Sequence, residues 1–227
     1  LIQVIDWFSA QGGRRLNISG GEPTLYPDLC DIIMYAKEKD VRCGITSNGQ
    51  LIDKEFAKKL AYSRLKRIYI SLDSVDPIIH DRIVCKKGAW ERTVNSIKYL
   101  SDYVPNRIKQ ISINHVLTKI NYSSLPEMLT FASKLGVKYV KILPYVATEE
   151  EKNNGEFELT ASDIDNINNS IVQKCHEVCE KTGLQTNFNA SAIYLNKKAN
   201  SLFAKINSEQ LKDPCFRPFY SFDVSVN

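Results

Sequence analysis

The sequence is short of the features that mark membranes, nucleic acid and secretion. No apolar run approaches the roughly 20 residues of a membrane-spanning helix, and the opening residues do not form a secretory leader. Charges of one sign form no block: 30 Lys and Arg stand against 26 Asp and Glu, a formal +4 spread along the chain. That argues against a nucleic-acid or anionic-membrane binder. Six cysteines in 227 residues (Cys30, Cys43, Cys85, Cys175, Cys179 and Cys215) are scattered, the first four singly within regular elements. This excludes a disulfide framework and points to a reducing, cytoplasmic compartment. With three histidines, His80, His115 and His176, none beside a serine or cysteine partner pattern, a conventional nucleophile–base pair is also missing.

What is present is ordinary core material, 43% hydrophobic and 25% charged residues, enough for one large domain or one domain with an appendage. Leu1, Val4, Ile5 and Phe8 recur at helical spacing and stop at Gly12-Gly13. Strands follow at Arg15–Ser19, Val41–Thr46, Arg67–Leu72, Arg107–Leu117 and Val137–Leu143. Helical patterns separate them: one opened by Pro27-Asp28, one by Asp53, one over Glu91–Leu100, and one from a Ser124…Glu127 capping box to Leu135. Strand and helix thus alternate about five times, the mark of right-handed βα units on a parallel sheet. The strands read as apolar enough to be covered on both faces. A long helix is expected over Thr160–Lys181, a sixth strand in "LQTNFN", a helix over Ile193–Ile206 and a strand in "SFDVSV". Leu1 opens on a helical pattern without a cap and Asn227 follows a strand, so the expectation is an excerpt of a longer chain.

The chemistry-bearing residues gather where strands end. The first strand runs into Ser19-Gly20-Gly21-Glu22-Pro23, the second into Thr46-Ser47-Asn48-Gly49, the third into Ser71-Leu72-Asp73-Ser74. On an α/β scaffold ligands bind beyond the carboxyl ends of the strands. Glycines there admit close backbone approach, Glu22 can accept from an ammonium group, and Pro23 fixes the chain beside it. Ser71 and Asp73 alternate with Leu72 and share a face. Alone, Asn48-Gly49 is an ordinary turn, and Ser71 and Asp73 fit a plain strand end as well as a site. All three on one rim favour a pocket for an amino acid joined to a nucleoside.

With "ISGGEPTL", "TSNG" and "ISLDS" on successive strand ends, the chain resembles the radical SAM enzymes from Leu1 to about Leu143. The resemblance implies a partial (β/α)6 barrel over residues 1–190. It assigns Gly20, Gly21, Glu22 and Pro23 to the amino group of S-adenosylmethionine and Ser71, with Asp73 beside it, to the carboxylate or ribose. Ser47 and Asn48 join that cofactor-binding set, the backbone near Leu143 faces the adenine, and Asn114 is a candidate lining residue. It also implies a 4Fe–4S cluster, yet the CxxxCxxC that holds one is absent from the sequence. Cys175-x-x-x-Cys179 lies in a helix without a third cysteine and reads as structural. Relatives place an arginine four residues after the histidine, where this chain has Val84; Arg82 is nearby. "PCFRPFYSFDVSVN" is similar to the start of a SPASM or twitch extension, so residues 191–227 are expected to be a linker and the opening of that extension, with Cys215 a ligand of an auxiliary Fe–S cluster.

The implied activity is reductive cleavage of S-adenosylmethionine and hydrogen abstraction by the 5′-deoxyadenosyl radical. The substrate expected first is a peptide or protein, with a sugar or other small molecule as the alternative, and the electron donor a reductase, flavodoxin or ferredoxin. Two other readings stay open: a barrel enzyme that binds a phosphate or nucleotide at the same rim without iron, and a cluster-less module that binds S-adenosylmethionine without cleaving it.

Overall fold

The computed structural model describes residues 1–103, 110–145, 155–187 and, by backbone, 221–226. The expected helix at 193–206 and Cys215 lie outside the described residues. The chain divides into two compact units. The first takes in Leu1–Ser71, Glu91–Ser112 and the C-terminal stretch with the last strand; the second takes in Leu72–Trp90 and the chain from Ile113 onward.

In the first unit the sheet is parallel. Strands β1 (Arg15–Gly20), β2 (Arg42–Ser47) and β3 (Arg67–Ser71) lie in sequence order. The last strand of the chain, β7 (Ser221–Val226), pairs with the free edge of β1 in parallel register, Arg15 opposite Ser221 and Gly20 opposite Val226. Helices α1 (Ile2–Ala10), α2 (Leu29–Glu38), α3 (Lys54–Tyr62) and most of α5 (Ala89–Tyr103) belong here. Each buries the stripe its sequence spells out: Ile5 and Phe8 in α1, Leu29, Ile32, Ile33 and Ala36 in α2. The Asp53 side chain caps α3 by accepting from the Phe56 N–H at 2.8 Å.

The expectation of strands covered on both faces is corrected. Leu16 and Ile18, Cys43 and Ile45, and Ile68 and Ile70 are buried, while Arg15, Asn17 and Ser19, Arg42, Gly44 and Thr46, and Arg67, Tyr69 and Ser71 between them are half-buried or exposed. The period is two. One sheet face is core, and the other is polar.

The second unit contains α4 (Pro77–Ile83), β4 (Gln110–Leu117) from Ile113 on, α6 (Leu125–Lys134), β5 (Tyr139–Pro144), a helical stretch from Ala161 to Thr182, and β6 (Gln185–Thr186). Here β5 pairs with β6 in parallel, Tyr139 opposite Gln185. The expected capping box at Ser124 is corrected. Ser124 has φ −93° and ψ 12°, not the extended backbone of a cap, and its hydroxyl donates to the Asn121 carbonyl at 3.0 Å. A capping box does occur at Thr160, whose hydroxyl accepts from the Asp163 N–H while the Asp163 carboxylate accepts from the Thr160 N–H.

The expected long helix is two helices, α7 (Ala161–Asn166) and α8 (Val172–Thr182), joined through a π-helical turn at Ile167–Ile171. Gly183 ends it with φ 69°. The sixth strand is only two residues long because the side chain of Asn187 replaces its continuation. The Asn187 amide accepts from the Ile142 N–H and donates to the Ile142 carbonyl, both at 2.8 Å. No helix among the described residues is long and apolar enough to cross a membrane.

Thr160→Ala should cost about 1 kcal/mol of stability, since it opens the capping box; a urea unfolding curve measures it, with Thr160→Ser expected to stay within a few tenths of the parent.

Candidate functional site

The loop after β1 is built around one carboxylate. Glu22 sits at the N-terminus of a short 3-10 turn, Pro23–Leu25. Its Oε1 accepts from the Thr24 N–H at 3.1 Å, the Thr24 hydroxyl at 2.6 Å and the Ser47 hydroxyl at 2.7 Å. Its Oε2 accepts from the Asn48 N–H at 2.7 Å. Glu22 therefore ties the end of β1 to the end of β2. Because Oε2 takes one donor, it keeps acceptor capacity for a further donor such as an ammonium group.

The turn after β2 is shaped for this contact. The Ser47 hydroxyl, on a residue 2% exposed, also accepts from the Gly49 N–H at 2.9 Å, and the Asn48 side chain accepts from the Gln50 N–H at 2.9 Å. Gly49 has φ 75°, and a Cβ there would meet the Ser96 hydroxyl at 2.6 Å, so both conformation and space call for glycine. The Thr93 hydroxyl donates to the Asn48 carbonyl at 2.9 Å, so α5 supports the turn. Ser71 closes β3 in the first unit, half-buried.

The second unit holds a different cluster, at the start of the Leu72–Asp73 segment. Leu72 N–H donates to the Asn114 carbonyl at 3.0 Å. Leu72 carbonyl accepts from His115 Nδ1 at 3.2 Å. Asp73 N–H donates to His80 Nδ1 at 3.2 Å, and the Asp73 carbonyl accepts from the Asn121 amide at 2.7 Å. The Asp73 carboxylate accepts from the Val116 N–H at 2.7 Å. Every backbone polar group of this buried dipeptide is met, two of them by imidazoles.

Those roles fix the rings as neutral. His80 Nδ1 accepts, so its proton is on Nε2; His115 Nδ1 donates, so its Nε2 is bare. Burial holds both histidines down, to about 4. Burial pushes the Asp73 carboxyl up to about 6, against the pull of the Val116 N–H. On β4 the Asn114 Oδ1 and Ser112 Oγ are buried and meet no protein hydrogen-bond partner, as do His115 Nε2 and Thr118 Oγ1. Leu143, near the end of β5, is half-buried.

Sequence reasoning missed Asn121 and α4. Asn121 is fully buried and its amide also donates to the Val116 carbonyl while accepting from the Thr118 N–H. "KINYSS" carried only a turn signal for it. For α4 the signal was there: Asp76 caps it, accepting from the N–H groups of Ile78 and Ile79, with Pro77 in the first turn. Arg82, in that helix, is ion-paired with Glu156 at 2.7 Å.

Among the described residues no three His, Cys, Asp or Glu side chains group in a way that could hold a metal ion. Cys175 and Cys179 are buried in α8, and burial pushes the Cys175 thiol up to about 12. The described residues therefore fit S-adenosylmethionine, through Glu22, Ser71 and the open Asn114 amide oxygen, and do not supply cluster ligands.

Two measurements follow from this geometry. Ser47→Ala removes a hydroxyl bonded to a carboxylate and should cost about 1.5–3 kcal/mol in urea unfolding. Stability should also fall with pH. His80 and His115 titrate near 6.5 unfolded and near 4 folded, so their contribution is lost as pH drops from 6.5 to 4. Asp73, raised from 3.8 to about 6, takes up a proton in the fold over nearly the same window and offsets one of them. Melting temperatures at pH 7, 5.5 and 4 should therefore decline, more gently in His80→Gln; a flat profile would contradict the neutral imidazoles.

Residues 1–132 match the family model described as the radical SAM superfamily. A "Probable GTP 3',8-cyclase" of Methanocaldococcus jannaschii is 30% identical over 175 residues, 77% of this chain and 55% of that protein. An "AdoMet-dependent heme synthase" of Nitratidesulfovibrio vulgaris is 28% identical over 166 residues, 73% of this chain and 44% of that one. The chain thus spans about half the length of these curated relatives. Among solved structures, Streptococcus suis SuiB bound to S-adenosylmethionine aligns with a TM-score of 0.66 at 18% identity, over 93% of this chain and 47% of that one. The enzyme anSMEcpe with bound AdoMet and the Kp18Cys peptide aligns at 0.65 and 17%, over 82% and 55%. These likenesses show the shared fold, α/β of the partial-barrel type. Family model, relatives and strand-end loops agree: the chain belongs to the radical SAM superfamily, enzymes whose cofactors are S-adenosylmethionine and a 4Fe–4S cluster.

Proposed function

We propose that this chain is the S-adenosylmethionine-binding part of an enzyme that removes a hydrogen atom from a small-molecule substrate. The observation that carries the reading is the Glu22 carboxylate, oriented by Thr24, Ser47 and Asn48 yet open at Oε2. An ammonium group carrying full charge is the donor such an acceptor favours. Gly20, Gly21 and Pro23 supply backbone beside it, Ser71 a hydroxyl for the carboxylate or ribose, and Asn114 an amide oxygen with no protein partner. Asp73 acts here through its hydrogen bond to Val116 as a positioning group. Backbone near Leu143 is assigned to the adenine.

The cofactor pair supplies the hard step when bound, an electron from the cluster and a 5′-deoxyadenosyl radical from the sulfonium. Cluster ligands are not among the described residues, so no step is routed through side chains of this chain. Its residues hold the amino acid and ribose ends and fix their direction. An auxiliary cluster at Cys215 and a reductase, flavodoxin or ferredoxin as electron donor complete the proposal.

For the substrate, the relatives with more sequence in common are named for GTP and heme chemistry, which supports a small molecule. A peptide is the second reading, favoured by the fold shared with a peptide-bound neighbour.

The test is on the full-length protein, reconstituted anaerobically with iron and sulfide and given S-adenosylmethionine and dithionite. Deoxyadenosine should form, with iron in excess of four per chain if Cys215 holds a second cluster. Glu22→Gln should raise the Kd for S-adenosylmethionine at least tenfold, since it weakens a charge-assisted bond. A folded protein that binds S-adenosylmethionine but yields no deoxyadenosine would be a binding module; one that binds neither iron nor S-adenosylmethionine would be a different barrel enzyme.

A further inference from the structure

The polar face of the first unit's sheet has an uneven charge. Arg15 on β1 and Arg42 on β2 are paired in register, directly abreast. Arg67 on β3 is in register with Gly44, two residues further along β2 than Arg42. All three arginines are exposed. Neighbouring strands lie about 4.8 Å apart, so two guanidinium stems start side by side. Like charges set directly opposite each other destabilise a sheet. Among the described residues, neither Arg15 nor Arg42 has an ion pair or side-chain hydrogen bond to offset this, whereas Arg14, off this face, pairs with Asp40 at 3.5 Å. Arg67 donates to the neutral Tyr69 hydroxyl at 2.8 Å. One acidic position, Asp223 on β7, stands in register beside Asn17. Three cations against one carboxylate position leave the face positive.

The same face has a notch. Asn17, Gly44 and Arg67 form one cross-strand row. Gly44 puts no side chain into it, and a Cβ there would meet the Asn17 amide oxygen at 3.1 Å and the Arg67 carbonyl at 3.6 Å. Arg42 and Thr46 stand before and after Gly44 on the same face, and the Asn17 amide lies 3.5 Å from the Thr46 hydroxyl. Guanidinium forks, an amide and a hydroxyl around a side-chain-sized gap are the donor set that binds an oxyanion, often in bidentate fashion.

From the register and the gap together we infer that the Gly44 notch, rimmed by Arg15, Arg42, Arg67, Asn17 and Thr46, binds the anionic group, phosphate or carboxylate, of a small substrate. The inference rests on the proposed substrate reading and narrows it to polyanionic molecules. Arg15 and Arg42 supply charge from one side, Arg67 from the other, and the missing Gly44 side chain lets the oxyanion reach the sheet. Bound anion would also relieve the repulsion between the abreast arginines.

Isothermal titration calorimetry on the full-length protein tests this, with inorganic triphosphate and with citrate as probes, in the absence of S-adenosylmethionine and reductant. Saturable binding of at least one probe is expected, weaker at 200 mM than at 50 mM salt. Arg42→Gln and Arg67→Gln should each weaken it at least tenfold, and Gly44→Val should do the same while keeping every charge. Arg14→Gln should leave it unchanged. Melting temperatures identify any variant that fails to fold; if Gly44→Val does, the arginine variants carry the test. Tighter triphosphate than citrate assigns phosphate, the reverse assigns carboxylate, and either supports the site. No saturable binding, wild-type affinity in the Arg42→Gln/Arg67→Gln double variant, or equal weakening by Arg14→Gln would overturn it, the last by reducing the effect to diffuse charge. Anion binding in a protein that forms no deoxyadenosine would keep the site and remove the radical reading, so the two failures are distinguishable.

Discussion

The carboxylate of Glu22 is the constraint on which the first unit's strand ends depend. Two adjacent parallel strands stop side by side, and each must turn away without leaving buried polar groups unmet. A single anionic side chain resolves both turns, because one oxygen serves its own loop and Ser47 while the other serves the Asn48 backbone. A neutral glutamine could not take donors at both ends of its head group, since one end would itself be a donor. This is why the loop keeps its shape around a charge, and why that charge is aimed before any ligand arrives. Preorganisation of this kind lowers the cost of ordering a site upon binding.

The second unit meets the same requirement by other means. There the chain after β3 leaves the sheet as a buried dipeptide, and its four backbone groups are taken by His80, His115, Asn121 and the Asn114 carbonyl. Neutral imidazoles suit this task because each offers one donor and one acceptor in a rigid ring. The consequence is that three titratable groups, His80, His115 and Asp73, are held in their uncharged-favouring direction by burial. None needs to exchange a proton for a radical reaction, so their shifted values express structure and not acid–base catalysis.

Much of this was legible in the sequence. The strand-end loops, the helix stripes of α1 and α2, and the Asp53 cap followed from spacing, because local hydrogen bonding and amphipathic burial determine them. What was not legible depended on partners distant in sequence. That Glu22 reaches across to Ser47 requires the β1–β2 register. That Asn121 serves Asp73 requires a contact across 48 positions. The Ser124 cap failed because a 3-10 turn bends the backbone out of the extended conformation that the motif assumes. The strands were misread as apolar on both faces because their buried residues, Leu16, Ile18, Cys43, Ile45, Ile68 and Ile70, dominate a count. Only alternation reveals the polar face.

That polar face carries the last step of the argument. A parallel sheet ordinarily buries both sides, since its crossover helices cover them. In the first unit the described helices contribute the apolar residues that meet Leu16, Ile45 and Ile68, and the opposite face has no comparable apolar set to cover. Arg15, Asn17, Arg42, Thr46, Arg67 and Tyr69 would each pay desolvation if an ordinary apolar layer lay on them. Such a face is compatible with water or with a polar ligand. The Glu22 loop lies at the carboxyl ends of these same strands, and the arginines at their beginnings. Along each strand the side chains therefore grade from cationic at the start to neutral and anionic at the end. A molecule lying along the strands with an anionic group at one end would match that gradient in one orientation and oppose it in the other. Charge would thus decide which end of a substrate faces the S-adenosylmethionine loop, before any shape-specific contact is made.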